Sequence, residues 1–236
     1  MPDSEVTRVL CVAAHPDDLD FALAGTVALW TDKGIEVSYV ICTDGQAGGF
    51  DLETPRDQVA DIRRSEQLEA AAIVGVEDVR FLGGMDGELG VTPGLVHDIT
   101  AAIRRARPER VVIPSPERDW QRIGRSQPDH LAAGEAAIRA IYPAARNPFA
   151  FPALFDQGLE PWTIAETWVM AHPTSNHVVD VTDTFDRLLK AILAHRSQHL
   201  EPHTIEDRMR GFLGARGEAA GMPGRLVEAF FVTATG

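Results

Sequence analysis

Two short runs in this 236-residue chain concentrate side chains able to hold a metal ion. His15-Pro16-Asp17-Asp18 offers one imidazole and two carboxylates, and Gln127-Pro128-Asp129-His130 offers a second imidazole far along the chain. Two His and one Asp, with a fourth position left for water, match the ligand count of a catalytic zinc site; a structural site needs four protein ligands. Zinc lowers the pKa of a water it binds from about 15.7 to about 7, roughly 12 kcal/mol toward hydroxide. A carboxylate beside that water must still take its proton and pass it to a leaving amine. Asp17 and Asp18 are both available, and because neighbouring side chains diverge in a strand-to-helix turn, one can bind metal while the other faces the water. Spacing leaves open which does which. A lone Asp at a helix start is explained by the helix dipole, but that explanation does not cover a His with two carboxylates. Iron, cobalt and nickel suit the same donors.

These residues need rigid elements behind them. Arg8 to Ala14 is an almost continuous apolar run, as expected of a strand buried on both faces of a parallel sheet. From Leu19 the apolar periodicity becomes helical and runs through Trp30 until Lys33-Gly34 ends it. His15, Asp17 and Asp18 therefore fall at the carboxyl end of a strand, where ligands bind in open α/β sheets, and a Pro-started helix is expected to hold them there. The alternation continues. Strands are predicted at 35–42, 79–82, 110–114, 164–170, 177–181 and 228–232, and helices at 55–74, 95–105, 131–141, 184–195 and 204–213, the first of these with Val59, Ile62, Leu68, Ala71 and Ala72 on its apolar side. His130 then precedes a helix as His15 does. The pattern predicts an α/β fold, Rossmann-like and three-layered (α/β/α), with a mainly parallel central sheet and right-handed crossovers. One domain, 1–236, is expected from the length.

Composition narrows the function. With 22 Lys and Arg against 35 Asp and Glu, the formal net charge is −13, which disfavours a nucleic-acid partner. No apolar run approaches a membrane span, and Met1-Pro2-Asp3-Ser4-Glu5 lacks the basic and apolar regions of a signal peptide, so a cytoplasmic location is expected. Cys11 and Cys42, the two cysteines, fall inside predicted strands and read as inert core residues. The first strand-helix turn lacks Gly-x-Gly-x-x-Gly and carries carboxylates that would repel a pyrophosphate, which argues against a nucleotide-binding module.

Further runs complete a pattern: Gly25-Thr26, Thr43-Asp44-Gly45-Gln46-Ala47-Gly48, Arg63-Arg64-Ser65-Glu66, Phe81-Leu82-Gly83 with Asp86-Gly87, Pro128-Asp129-His130 and His195-Arg196-Ser197-Gln198. Together with His15-Pro16-Asp17-Asp18, in this order and over nearly the whole chain, they resemble the PIG-L/LmbE-like deacetylases. The resemblance implies a zinc-dependent hydrolase that removes an acyl group, most often acetyl, from an N-acetylglucosamine-type sugar, a small-molecule substrate. It implies His15, Asp18 and His130 as metal ligands, Asp17 as general base, Arg63 as a sugar contact and Asp86 as a binder of a substrate hydroxyl. For Arg63 a solvated helix charge is the competing reading.

One departure from the family pattern stands out. Where family members commonly read His-Pro-Asp-His, this chain has Gln127, which can donate a hydrogen bond to substrate but cannot carry a proton. Losing an oxyanion donor typically costs about 100- to 1000-fold in rate. Arg125, His172 and His177 are candidate replacements, the two histidines being the better acids. The alternatives are an amidase of the same family acting on a thiol conjugate or other biosynthetic amide, and a catalytically weak or silent metal-binding member in which Gln127 replaces the usual His. His97, His199 and His203 read as surface residues, and His195, at a helix end, as structural or on the rim. The Pro- and aromatic-rich stretch Tyr142 to Trp162 is expected to be an irregular lid, an acceptor-side wall or a contact in a homo-oligomer.

Overall fold

A computed structural model describes residues 1–236. The strands are β1 (Arg8–Ala13), β2 (Glu36–Thr43), β3 (Asp78–Gly84), β4 (Arg110–Pro114), β5 (Glu166–Met170), β6 (His177–Asp180) and β7 (Val227–Ala234). The helices are α1 (Asp18–Asp32), α2 (Arg56–Ile73), α3 (Pro93–Ala106), α4 (Pro128–Arg139), α5 (Pro152–Asp156), α6 (Phe185–Ala194) and α7 (Ile205–Ala219). The seven strands form one sheet in the order β3-β2-β1-β4-β5-β7-β6. Pairing is parallel from β3 through β5, and β7 runs antiparallel to both β5 and β6.

The apolar strands bury both faces. On β1, Val9, Cys11 and Ala13 join a cluster with α1, α2, α6 and α7, while Leu10 and Val12 join α3 and α4 on the opposite face. This is a three-layer α/β/α fold. The strand order places β1 between β2 and β4, so the crossover connections diverge at β1 and β4. At such a switch point the loops leaving neighbouring strands open a crevice at the carboxyl ends. The loop after β1 carries His15, and the loop after β4 leads to His130.

The structure changes several expectations. Helix α1 is not Pro-started: Asp17 precedes it with φ 93°, a left-handed conformation, and the helix begins at Asp18. Proline opens α4 instead, at Pro128, three residues earlier than the periodicity suggests, because the Gln127 side chain caps the N–H groups of Asp129 and His130. Helix α2 turns a different face inward. Ile62 and Leu68 are exposed, and Arg63, Glu66, Gln67, Ala70 and Ala71 are buried. A polar set at helical spacing faces the site, and apolar periodicity alone could not register it.

The stretch Tyr142 to Trp162 is tied down along its backbone, while Tyr142, Phe149 and Phe155 stay exposed. Buried Arg104 of α3 donates to the carbonyls of Ala144, Ala145, Asn147 and Ala150, and Trp162 Nε1 donates to the Pro108 carbonyl. Finally, α1 departs from helical geometry at Leu23 (φ −153°). The amide N–H groups of Gly25 and Thr26 are taken by buried Glu228 of β7, at 3.0 and 2.8 Å.

Candidate metal centre

The turn from β1 into α1 is held from within. Asp18 Oδ2 accepts the backbone N–H groups of Ala14 and His15, at 3.1 and 2.8 Å, which leaves Oδ1 facing His130 Nε2 at 3.1 Å. His15 Nδ1 lies 3.2 Å from His130 Nε2 and 3.6 Å from Asp18 Oδ2. Two imidazole nitrogens and a carboxylate thus converge, one nitrogen supplied after β1 and the other from the first turn of α4.

The donor set fits a divalent ion. Atoms sharing a tetrahedral ion at about 2.0–2.1 Å stand about 3.3 Å apart, close to the separations found. Without a cation, burial would pull both imidazoles down, yet the carboxylates outweigh it: Asp18 and Asp86 hold His15 up at about 10, and Asp18 raises His130. Asp18 moves the opposite way, its burial overcome by His130 and His15. Positive charge is what this cluster is built to attract.

His15 also meets carboxylates on its other edge, Nε2 lying 3.1 Å from Asp86 Oδ1 and 3.2 Å from Asp129 Oδ2. These three residues form a second set capable of holding an ion. Their acids are already engaged, however. Asp129 accepts the N–H groups of Gly87 and Leu89 at 2.7 and 3.2 Å, and Asp86 Oδ2 accepts that of Ala47 at 3.1 Å. The two acids therefore act as acceptors that orient His15 through Nε2–H and leave Nδ1 free to bind a metal, the common outer arrangement around a ligating His.

Asp17 stands beside the cluster. Its Oδ2 lies 3.1 Å from Arg63 Nη2, and its N–H donates to Gln67 Oε1 at 2.8 Å. Burial, opposed by Arg63 and assisted by the Asp18 charge, pushes Asp17 up to about 6. Arg63 is no solvated helix charge: it is buried, and its guanidinium also donates to the Gly45 and Pro16 carbonyls at 2.8 and 2.5 Å. Gly45, with φ +65°, is required here, since a Cβ would come within 2.4 Å of that guanidinium.

His15, Asp17, Arg63, Asp86, Gly124, Gln127 and His130 line one cavity of about 290 Å³. Gln127 spends its carbonyl oxygen on the α4 cap, and its amide nitrogen lies 3.4 Å from His15 Nε2. His172 and His177 line a different cavity, with Arg122 and Asn176. Arg125 lines that cavity as well as a third, which includes Asp18 and His130.

Sequence reasoning missed a supporting chain. Fully buried Gln67 donates to Asp20 Oδ2 at 2.9 Å, and His195 Nε2 pairs with the same oxygen at 2.8 Å. His195 is therefore a buried strut rather than a rim residue. Glu66, one turn after Arg63, accepts both the N–H and the hydroxyl of Ser197, at 2.8 and 2.7 Å, which ties α2 to the segment after α6. The available signal was the spacing Arg63, Glu66, Gln67, Ala70, a helical stripe that is polar where a core stripe is expected.

Residues 10–141 match the family model described as PIG-L: GlcNAc-PI de-N-acetylase. The diacetylchitobiose deacetylase of Thermococcus kodakarensis is 34% identical over 200 residues, covering 85% of this chain and 73% of that protein. A probable N-acetyl-alpha-D-glucosaminyl L-malate deacetylase 2 of Bacillus cereus is 32% identical, covering 81% of this chain and 83% of its own. Among solved structures, the N,N'-diacetylchitobiose deacetylase of Pyrococcus horikoshii, complexed with its inhibitor MPG, superposes with a TM-score of 0.90 at 31% identity. That likeness covers 98% of this chain and 85% of the other.

Proposed function

The chain belongs to the PIG-L family of de-N-acetylases, and from that premise we propose that His15, Asp18 and His130 hold zinc while Asp17 acts as general base in its deacetylation reaction. It is a metal-dependent amidohydrolase that removes an N-acetyl group from an N-acetylglucosamine-type sugar or glycoconjugate. The observation that carries the site assignment is the meeting of His15 Nδ1, His130 Nε2 and Asp18 within 3.1 to 3.6 Å, with Asp17 lining the same cavity.

A divalent ion held there supplies Lewis acidity, polarising an acyl carbonyl and easing deprotonation of water. The protein supplies the proton path. Asp17 Oδ2 is occupied by Arg63, so Oδ1 is the atom that accepts the proton of the attacking water and returns it to the departing amine. Arg63 holds that carboxylate in place and lines the cavity where the sugar would lie. Gln127 donates through its amide to the developing oxyanion, a contact that stabilises charge without transferring a proton. Asp17 is thereby left as both base and acid.

The test combines metal analysis of the purified protein with acetate release from a panel of N-acetylglucosaminides and from amides with bulkier acyl groups. One equivalent of bound metal and preferential acetate release are expected. Asp17→Asn keeps the metal and loses at least 100-fold in turnover, the usual scale of a positioned base. Metal loss in that variant makes Asp17 a ligand and refutes the assignment.

A further inference from the structure

Beside the metal-site cavity lies a larger one, of about 600 Å³, whose wall includes Asp18 and His130. A molecule with its acetamido group at the candidate metal centre therefore has room to extend into it. The lining is of two kinds. Phe21, Met209 and Phe212 make it apolar, and Arg125, Arg208 and Arg216 make it cationic.

The gathering of three arginines in one cavity is the informative part. The chain carries 35 acidic residues against 22 basic ones, so surface cations have ample partners. Ten of the chain's 20 arginines, Arg8, Arg110, Arg187 and Arg196 among them, meet a carboxylate within 4.0 Å. None of the three cavity arginines lies within 4.0 Å of a carboxylate, and the one acidic residue of the lining, Asp18, is committed to His130. Instead, the guanidinium carbons of Arg216 and Arg125 sit 4.2 and 5.6 Å from Phe212's ring centre. Stacking on an aromatic face fixes the plane of a guanidinium while leaving its N–H fork free for a planar or tetrahedral anion. Burial and the nearby Arg125 pull Arg216 down to about 10, with the more distant Glu228 opposing them only in part.

We infer that this cavity is an aglycone subsite that selects amino-sugar substrates whose aglycone carries an anionic group, carboxylate or phosphate, on an apolar stem. The inference rests on the deacetylase reading for the placement of the sugar. The apolar wall receives the stem, and Arg125, Arg208 and Arg216 supply the charge-assisted hydrogen bonds. A neutral disaccharide leaves those three cations unpaired.

The test is equilibrium binding, by calorimetry on the metal-loaded protein, of three aryl glucosaminides that need no turnover. They carry a 4-carboxyphenyl, a 4-phosphate-phenyl or a neutral 4-carbamoylphenyl group. At least one anionic glycoside is expected to bind tenfold or more tightly than the carbamoyl compound, the ratio shrinking with added salt. Arg216→Gln and Arg125→Gln should each bring the ratio below threefold. Exposed Arg208→Gln, which spares the packed wall, provides the same readout should either of those variants fail to fold. Equal affinities in the wild type, or an anion preference that survives all the substitutions that fold, overturn the subsite. Acetate release is read separately: an anion preference without deacetylation of any N-acetylglucosaminide refutes the proposed reaction and leaves the subsite standing.

Discussion

Gln67 offers the sharpest test of how the reactive turn is held. Asp17 occupies a left-handed conformation, φ 93°, which costs a non-glycine residue about 1–3 kcal/mol unless its surroundings enforce it. Arg63 holds the Asp17 carboxylate, and the backbone is held by Gln67, which accepts the Asp17 N–H at 2.8 Å and is anchored through Asp20 at 2.9 Å. Gln67→Met keeps the volume and removes both bonds. It leaves the Asp17 N–H without a partner, a loss of about 1–3 kcal/mol. If that energy is what keeps the Asp17 carboxylate in register, kcat falls by about 5- to 150-fold at 1.36 kcal/mol per decade. KM and metal content stay close to wild type, because Asp18 is fixed separately by Ala14 and His15 N–H groups. Initial rates of acetate release, metal stoichiometry and a thermal melt on the same preparation give the three numbers required. A fully loaded, folded Gln67→Met protein with kcat within twofold of wild type refutes the reasoning. Metal loss refutes it differently, by placing Gln67's influence on Asp18 instead.

Three further outcomes are expected. His130→Ala removes one of two nitrogen donors and should abolish stoichiometric zinc binding in a direct titration, with the fold retained in circular dichroism. Arg104→Met leaves the Ala150 carbonyl without a donor and takes a second donor from the carbonyls of Ala144, Ala145 and Asn147, and chemical denaturation should show a loss of about 1.5–3 kcal/mol. Glu228 is pushed by burial to about 7, against its ordinary 4.5 and despite hydrogen bonds from Thr26 and Gly25. The folded state then holds a proton that the unfolded chain has released, so Glu228's contribution to stability is largest at or below about pH 4.5 and declines as pH rises to about 7. Relative to Glu228→Gln, wild type should lose up to about 3 kcal/mol between pH 5 and pH 8, read from paired melts.

What the sequence made legible follows from the physics of each signal. Strands buried on both faces appear as apolar runs, and β4 was legible to the residue, at Arg110–Pro114. Local motifs also pointed to residues that share one place, since His15, Asp17, Arg63, Asp86, Gln127 and His130 line a single cavity. The supports were not legible, because each works across a long chain separation. Gln67 reaches Asp17 from 50 residues away, and His195 reaches Asp20 from 175. The inward face of α2 misled for a related reason: its burial serves a polar site, and a hydrophobicity pattern reports only burial in oil-like surroundings.

The same reasoning explains Gln127. Its carbonyl caps α4 through the N–H groups of Asp129 and His130, and through that cap it fixes the turn bearing His130. An imidazole there would offer one acceptor nitrogen and one N–H, whereas an amide offers a carbonyl with two lone pairs for the two backbone donors and still presents an NH₂ toward His15. The substitution therefore keeps the geometry of the metal-site loop and a donor facing the cavity, and gives up only the proton. In the proposed reaction that proton falls to Asp17. A chain that keeps the site's shape while placing its acid-base work on one carboxylate depends all the more on how rigidly Asp17 is held, which is what Gln67, Arg63 and the buried Asp20–His195 pair provide.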